Sequence, residues 1–141
     1  MGRIIIHLHG KPKDKSLNSL INKYSKRLES ESVKIIEHTD NLSPNEYISK
    51  LIKYAKTGEL ILLDQKGIEY DSLKFSKLVS SWKLNSEDTH LAIGPASGFP
   101  EHNLSIISLS KMTLPHELAA VFLVEQVYRS MQILKGTKYH K

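Results

Sequence analysis

Three stretches of this sequence gather small residues and unencumbered backbone amides where a ligand could be gripped. They are Leu63-Asp64-Gln65-Lys66-Gly67, Gly94-Pro95-Ala96-Ser97-Gly98 and Leu109-Ser110-Lys111-Met112-Thr113-Leu114-Pro115-His116. Each follows a short apolar run that reads as a strand. In open parallel sheets ligands sit outside the carboxyl ends of the strands. Segments of this composition suit main-chain hydrogen bonding to a neutral heterocycle and a ribose. They also suit ordinary turns, and the residues alone leave both readings open.

Other chemistries lack their residues. No G-x-G-x-x-G follows the first strand and no G-x-x-x-x-G-K-[ST] occurs, which disfavours a dinucleotide-dependent oxidoreductase and a P-loop nucleotidase. Ser97 is displaced by one position from the nucleophile of a G-x-S-x-G elbow. The absence of cysteine excludes disulfides, zinc fingers and thiolate catalysis. His7 and His9 project from one face of the first strand and His38 ends the second, so imidazole ligation of zinc is conceivable. No carboxylate spacing accompanies them. The expectation is therefore no metal site, and a pair of partly exposed strand histidines.

The elements that would position the three loops alternate along the chain. Ile4-Ile5-Ile6-His7-Leu8-His9 is rich in β-branched residues and predicts a strand ending at Gly10. Leu17, Leu20, Ile21, Tyr24 and Leu28 recur at helical spacing. Val33-Lys34-Ile35-Ile36 predicts strand two. Ser43 and Pro44 start a helix whose stripe is Tyr47, Ile48, Leu51, Ile52 and Ala55, stopped at Gly58. Leu60-Ile61-Leu62-Leu63 is a continuous apolar run, as in a strand covered on both faces. Asp71 or Ser72 can cap a helix with Phe75, Leu78, Val79 and Trp82 inward. Leu91-Ala92-Ile93 and Ile106-Ile107-Ser108-Leu109 predict strands four and five, and a last helix opens at Pro115 and closes near Gly136. The pattern predicts an α/β fold, a mostly parallel sheet flanked by helices.

The last helix carries more apolar residues than one stripe can hold. Leu118, Val121, Phe122, Leu123, Val124, Val127, Tyr128, Met131, Ile133 and Leu134 wrap around it, which predicts burial on two sides and hence a homodimer. At 141 residues the expectation is a single domain over 1–141. No run approaches the ~18 apolar residues of a membrane span, and Met1 to His7 turns polar too early for a signal peptide; a cytoplasmic location is the default reading. The formal net charge of +5 is modest and favours a polyanion no more than it favours an ordinary basic surface.

From residue 63 onward the sequence resembles the ribosomal RNA large-subunit methyltransferase H family of the SPOUT class. The resemblance rests on Leu63-Asp64-x-x-Gly67, Ile93-Gly94-x-x-x-Gly98, Leu109-Ser110-x-x-Thr113-Leu114-Pro115-His116, Glu125-Gln126-x-Tyr128-Arg129 and Gly136-x-x-Tyr139-His140-Lys141. It implies a C-terminal trefoil knot, a homodimer, S-adenosylmethionine as cofactor, and methylation of N3 of a pseudouridine in 23S rRNA of the assembled ribosome. It implies cofactor contacts at Leu63, Gly94, Leu109, Ser110, Lys111, Met112, Thr113 and Leu114, and catalytic roles for His140, Tyr139 and Arg129. His140 is the first candidate for a base at the N3 imide, on a tail that completes the partner subunit's pocket. The sequence departs from the family pattern at Pro95, Ala120 and Lys138, and in the short loop His38-Thr39-Asp40-Asn41-Leu42. Two other readings stay open: a SPOUT enzyme acting on another RNA nucleotide, and a dimeric RNA-binding or ribosome-associated protein whose catalysis has decayed.

Overall fold

A computed structural model describes residues 1–141. The elements follow in the order β1 (Ile4–His9), α1 (Lys15–Leu28), β2 (Val33–His38), α2 (Pro44–Ala55), β3 (Glu59–Glu69), α3 (Ser72–Leu84), β4 (Thr89–Ala92), β5 (Ser105–Ser108) and α4 (His116–Lys135). The five strands form one sheet in the order β2-β1-β4-β3-β5, with every pairing parallel. Most elements lie where the sequence pattern puts them. Strand β2 runs two residues further, to His38, because its pairing with β1 continues to His9. Strand β4 ends at Ala92, and β3 extends through Asp64–Gly67 to Glu69.

The helix starts are chemically specified. The Asp14 carboxylate accepts from the amides of Ser16 and Leu17 at 2.9 and 3.1 Å, satisfying two of the free donors at the start of α1. Ser43 and Glu46 form a reciprocal capping box on α2. These bonds hold the Glu46 carboxyl below its ordinary range. Gly136 closes α4 at a φ of 72°, in the left-handed region that side chains disfavour.

The sheet buries two unequal faces. Ile4, Ile6, Leu8, Leu91 and Ile107 face a large core built with α1, α3 and α4, where Phe75, Trp82, Leu123 and Val127 meet them. The other face is covered by α2 through a small cluster of Tyr47, Leu51, Leu62 and Ala92. Only one side of α4 is buried, along Ala120, Leu123, Val124, Val127 and Met131. Leu118 and Phe122 on its other side are 40% and 36% exposed.

Under α2 lies a feature that corrects the expectation for the strand histidines. His7 is fully buried, and it forms the middle of a row of three imidazoles with His38 and His90 from the flanking strands. Its Nδ1 lies 2.8 Å from His38 Nε2 and its Nε2 2.8 Å from His90 Nδ1. A neutral imidazole has one N–H and one lone pair, so three neutral rings satisfy both bonds of the row, each donating to the next. Burial, reinforced by the other two histidines, pushes His7 down to about 3. Burial and then the Lys50 and His9 charges push His38 down to about 4. His9 has another partner, the Leu42 carbonyl at 2.8 Å. No group of three or more His, Cys, Asp or Glu side chains is arranged to hold a metal ion.

The row makes folding sensitive to acid. An unfolded histidine takes up a proton near pH 6.5, whereas His7 and His38 stay neutral in the folded chain to well below that. Stability is therefore complete above about pH 6.5 and falls as pH drops below it, by up to ~1.4 kcal/mol per pH unit for each such imidazole. Urea unfolding at pH 7.5 and pH 5.5 measures this. The His7→Leu variant strands one nitrogen on each of its neighbours and is expected to lose about 2 kcal/mol or more at pH 7.5, with a shallower pH dependence. Equal stability of the variant and the wild type would show that the row is not holding the sheet.

Candidate active site

The carboxyl ends of β3, β4 and β5 open into a cleft because the pairing of β3 with β5 is interrupted. Leu63 and Ile68 both pair with Ile107, so Asp64, Gln65, Lys66 and Gly67 are extruded between them as a bulge. Gly67 makes the return possible: a Cβ there would lie 2.7 Å from the Ile107 backbone. Inside the bulge the Asp64 carboxylate accepts from the Lys66 amide at 2.9 Å.

The bulge is tied to the segment after β5. Lys111 Nζ donates to the carbonyls of Gly67 and Gln65 at 2.6 and 3.3 Å, and the Lys111 amide donates to Glu69 at 3.2 Å. Thr113 Oγ1 donates to Gln65 Oε1 at 2.8 Å. The third wall, after β4, is a turn closed by the Gly98 amide on the Pro95 carbonyl at 2.8 Å. Tyr47 steadies it from α2: its hydroxyl donates to the Ile93 carbonyl at 2.8 Å, and its ring lies parallel to Phe99 at 6.1 Å. Burial alone drives the Tyr47 hydroxyl far above its ordinary range, so it stays a donor.

The resulting cleft has a volume of about 420 Å³, within the range of cofactor pockets. All three segments singled out in the sequence contribute to it. Leu63, Gly94, Leu109, Ser110, Met112, Thr113 and Leu114 line it, whereas Lys111 turns its side chain to the bulge and holds two walls together. Phe99, Ala119 and His116 also line it. The sequence does not point to Phe99 and Ala119, since nothing in their local surroundings distinguishes them from core residues. Pro95 lines the wall where it lacks an amide donor, and Ala120 is buried in the main core.

The tail residues assemble elsewhere. Glu125 accepts from Tyr139 Oη at 2.7 Å and from Arg129 Nη2 at 2.8 Å. Arg129 Nη1 lies 3.1 Å from His140 Nδ1, and the guanidinium sits 4.8 Å from the Tyr139 ring centre. Tyr139 meets Tyr24 of α1 at 3.3 Å between hydroxyls. Burial, then the bonds to Tyr24 and Glu125, raises the Tyr139 hydroxyl, and the Glu125 bond raises Arg129 further above its already high range. Arginine can only donate, so His140 Nδ1 accepts here and a neutral ring carries its proton on Nε2. The tail is thus a cluster of three donors. None of Arg129, Tyr139 and His140 lines the cleft. His116 lines it at the start of α4, and Arg129 is thirteen residues further along that helix, about 20 Å at helical rise.

Comparison with known proteins decides the family. The model described as "Predicted SPOUT methyltransferase" matches residues 2–140. The chain belongs to the SPOUT methyltransferases. Relatives named ribosomal RNA large subunit methyltransferase H match nearly the whole chain. The one from Malacoplasma penetrans is 33% identical over 99% of both chains. Those from Clostridium botulinum (strain Langeland) and Acholeplasma laidlawii are 39% and 36% identical, each over 94% of this chain and 95% of theirs. The crystal structure of Archaeoglobus fulgidus Nep1 bound to S-adenosylhomocysteine aligns with 93% of this chain and 99% of that one, at 12% identity and a TM-score of 0.47. No helix of this SPOUT protein is long and apolar enough to cross a membrane.

The approach of Gly67 to Ile107 gives the cleft a direct test. Gly67→Ala forces the bulge away from β5 and is expected to destabilise the fold by about 2 kcal/mol, as overpacking does. Thermal unfolding measures it. An unchanged melting temperature would show that the bulge is free to move and does not set the cleft wall.

Proposed function

We propose that this SPOUT methyltransferase acts as a cytoplasmic homodimer that transfers a methyl group from S-adenosylmethionine to N3 of a pseudouridine in 23S rRNA. The reading is carried by one observation: the three motif-bearing loops, which are far apart in sequence, converge on one cofactor-sized cleft. The family membership and the names of the relatives support the reaction class and the substrate. The single domain over 1–141 and the C-terminal trefoil knot belong to the same reading.

The residues present suit the cofactor. The cleft combines aliphatic walls at Leu63, Leu109 and Leu114 with polar groups at Asp64, Ser110 and Thr113. Bound there, S-adenosylmethionine supplies a methyl group already activated on a sulfonium. Leu63, Gly94, Leu109, Ser110, Met112, Thr113 and Leu114 would hold it, with Lys111 fixing the loop. The protein must then hold the pseudouridine N3 in line, and such positioning can supply a large part of the rate.

The tail residues have a role that fits their chemistry. With Nδ1 accepting from Arg129, neutral His140 offers an Nε2–H and no free lone pair, so it works as a donor. Donors beside the carbonyl oxygens of the base stabilise the negative charge that develops as the N3 proton passes to solvent water. The Arg129 guanidinium adds to the same field, and the Tyr139 hydroxyl, which donates to Glu125, holds the carboxylate that anchors it. The distance between tail and cleft within one chain favours a site built in trans, in which the tail of one protomer serves the cleft of its partner. The exposed apolar side of α4 at Leu118 and Phe122 supports the dimer that this requires.

Calorimetric titration with S-adenosylmethionine is the primary test, and saturable binding is expected. Gly94→Val puts a side chain where even a Cβ would lie 3.1 Å from the Phe99 ring, and should weaken binding at least tenfold. His140→Ala should keep cofactor affinity while lowering turnover on ribosomes by about 10²–10³. Co-expression of the two inactive variants should restore part of the activity, since a mixed dimer holds one intact composite site. No cofactor binding by a folded wild-type sample would overturn the methyltransferase reading. Absence of restored activity in confirmed mixed dimers would overturn the site in trans.

A further inference from the structure

A second depression, of about 580 Å³, lies at the amino end of the sheet, between α2 and the edge strand β2. Five cationic side chains line it: Arg3, Lys34, Lys50, Lys53 and Lys56. Glu87 and Asp88 are its only carboxylates, and Asp88 is tied to Arg3 at 2.9 Å. None of the four lysines has a carboxylate within 4.0 Å, so their charge is uncompensated. Tyr54, 43% exposed, adds an aromatic face between them.

Lys56 occupies a costly position. It is the first central residue of a tight turn closed by the Gly58 amide on the Ala55 carbonyl at 2.7 Å. Its φ of 50° and ψ of −112° belong to a type II′ turn, where glycine is usual. Retaining a lysine in such a conformation is a mark of function to be tested, since strained residues cluster at binding sites.

We infer that this groove is an RNA-docking surface that holds the phosphodiester backbone of the substrate RNA away from the methyl-transfer cleft. The inference rests on the rRNA-methyltransferase reading for the identity of the RNA. The groove has the features of a backbone track and lacks those of a single-phosphate pocket. Its lysines are exposed point charges on flexible stems, and the helix end beside them is the carboxyl end of α2, whose dipole disfavours one fixed anion. Successive phosphates spread along mobile ammonium groups need no converging donors. An exposed tyrosine among lysines suits stacking of an unpaired base.

The groove also has a geometric relation to the cleft. Helix α2 runs between them: Tyr47 near its start packs on Phe99 of the cleft, while Lys50, Lys53 and Lys56 at its end line the groove. Its twelve residues span about 18 Å at helical rise. RNA engaged by both must therefore contribute a second segment at a set distance from the target nucleotide, which a folded RNA supplies better than a short oligonucleotide.

The test measures binding of the full-length protein to large ribosomal subunits between 50 and 200 mM salt. Replacing Lys34, Lys50 and Lys53 together with glutamine should flatten the slope of log affinity against log salt by about 2–3, or roughly 0.7–0.9 for each phosphate no longer neutralised. Lys56→Gly should raise the melting temperature by relieving the turn, yet flatten the slope by about one. A purely structural lysine would not give these opposite signs. Titration with S-adenosylmethionine on the same samples separates the two claims, because groove variants should keep cofactor binding. Unchanged ribosome affinity and slope in the variants, with cofactor binding intact, would overturn the groove and leave the enzyme reading standing. Lysine-dependent binding of inorganic pyrophosphate with no change in ribosome affinity would replace it with a small-anion site.

Discussion

The structure depends on how β3 and β5 can pair and still open. Ile107 receives both Leu63 and Ile68 as partners, so the sheet closes on either side of four residues that it cannot accommodate. Backbone polar groups expelled from a ladder need other partners. Here the Gly67 and Gln65 carbonyls find Lys111, and the Lys66 amide finds Asp64. The same bonds that satisfy the bulge fix the segment after β5 against it. The wall geometry of the cleft thus follows from satisfying the interrupted ladder, and the Lys111 side chain shapes the cleft from outside it.

The two ends of α2 show a comparable economy. This helix is the sheet's cover on one face, yet its buried row is short: Tyr47, Leu51 and Ala55. The rest of that face is filled by the imidazole row, which packs edge-on against Tyr54 and Tyr47. A polar row in place of aliphatic side chains carries a requirement for neutrality that leucine would not. It also gives directionality: with one proton per ring, both hydrogen bonds must point the same way along the three strands. Tyr54 packs on the row with one side and lines the basic groove with the other, so the row lies directly beneath the groove.

Much of this is legible in the sequence because the signals are local. Capping residues Asp71 and Ser43, the closing Gly136 and the alternation of apolar runs are read within a few residues, and they specify the element order. The three loops are recognisable from composition and from their place after strands. Long-range partners are not. Nothing near His7 indicates that His38 and His90, on strands 31 and 83 residues away, complete its hydrogen bonds. A histidine in a strand therefore reads as half-exposed. The extension of β3 escapes a local reading for a related reason, since Asp64–Gly67 has the composition of a turn and only the second pairing at Ile68 makes it part of a strand.

The tail raises a question that one chain answers only in part. Glu125 binds Tyr139 and Arg129 at once, and Arg129 binds His140, so four residues from α4 and the terminus form a single network around one carboxylate. An isolated terminal histidine would sample many orientations, and a side chain held within hydrogen-bond range of an arginine samples few. The network therefore fixes the direction of its donors and the tautomer of the neutral imidazole. Charge development at a base imide is met best by dipoles that need not reorganise. A tail anchored through α4, whose other end lines the cleft, ties the placement of these donors to the helix that carries the cleft wall. In the proposed dimer, packing along the exposed side of that same helix sets both halves of the composite site through one element.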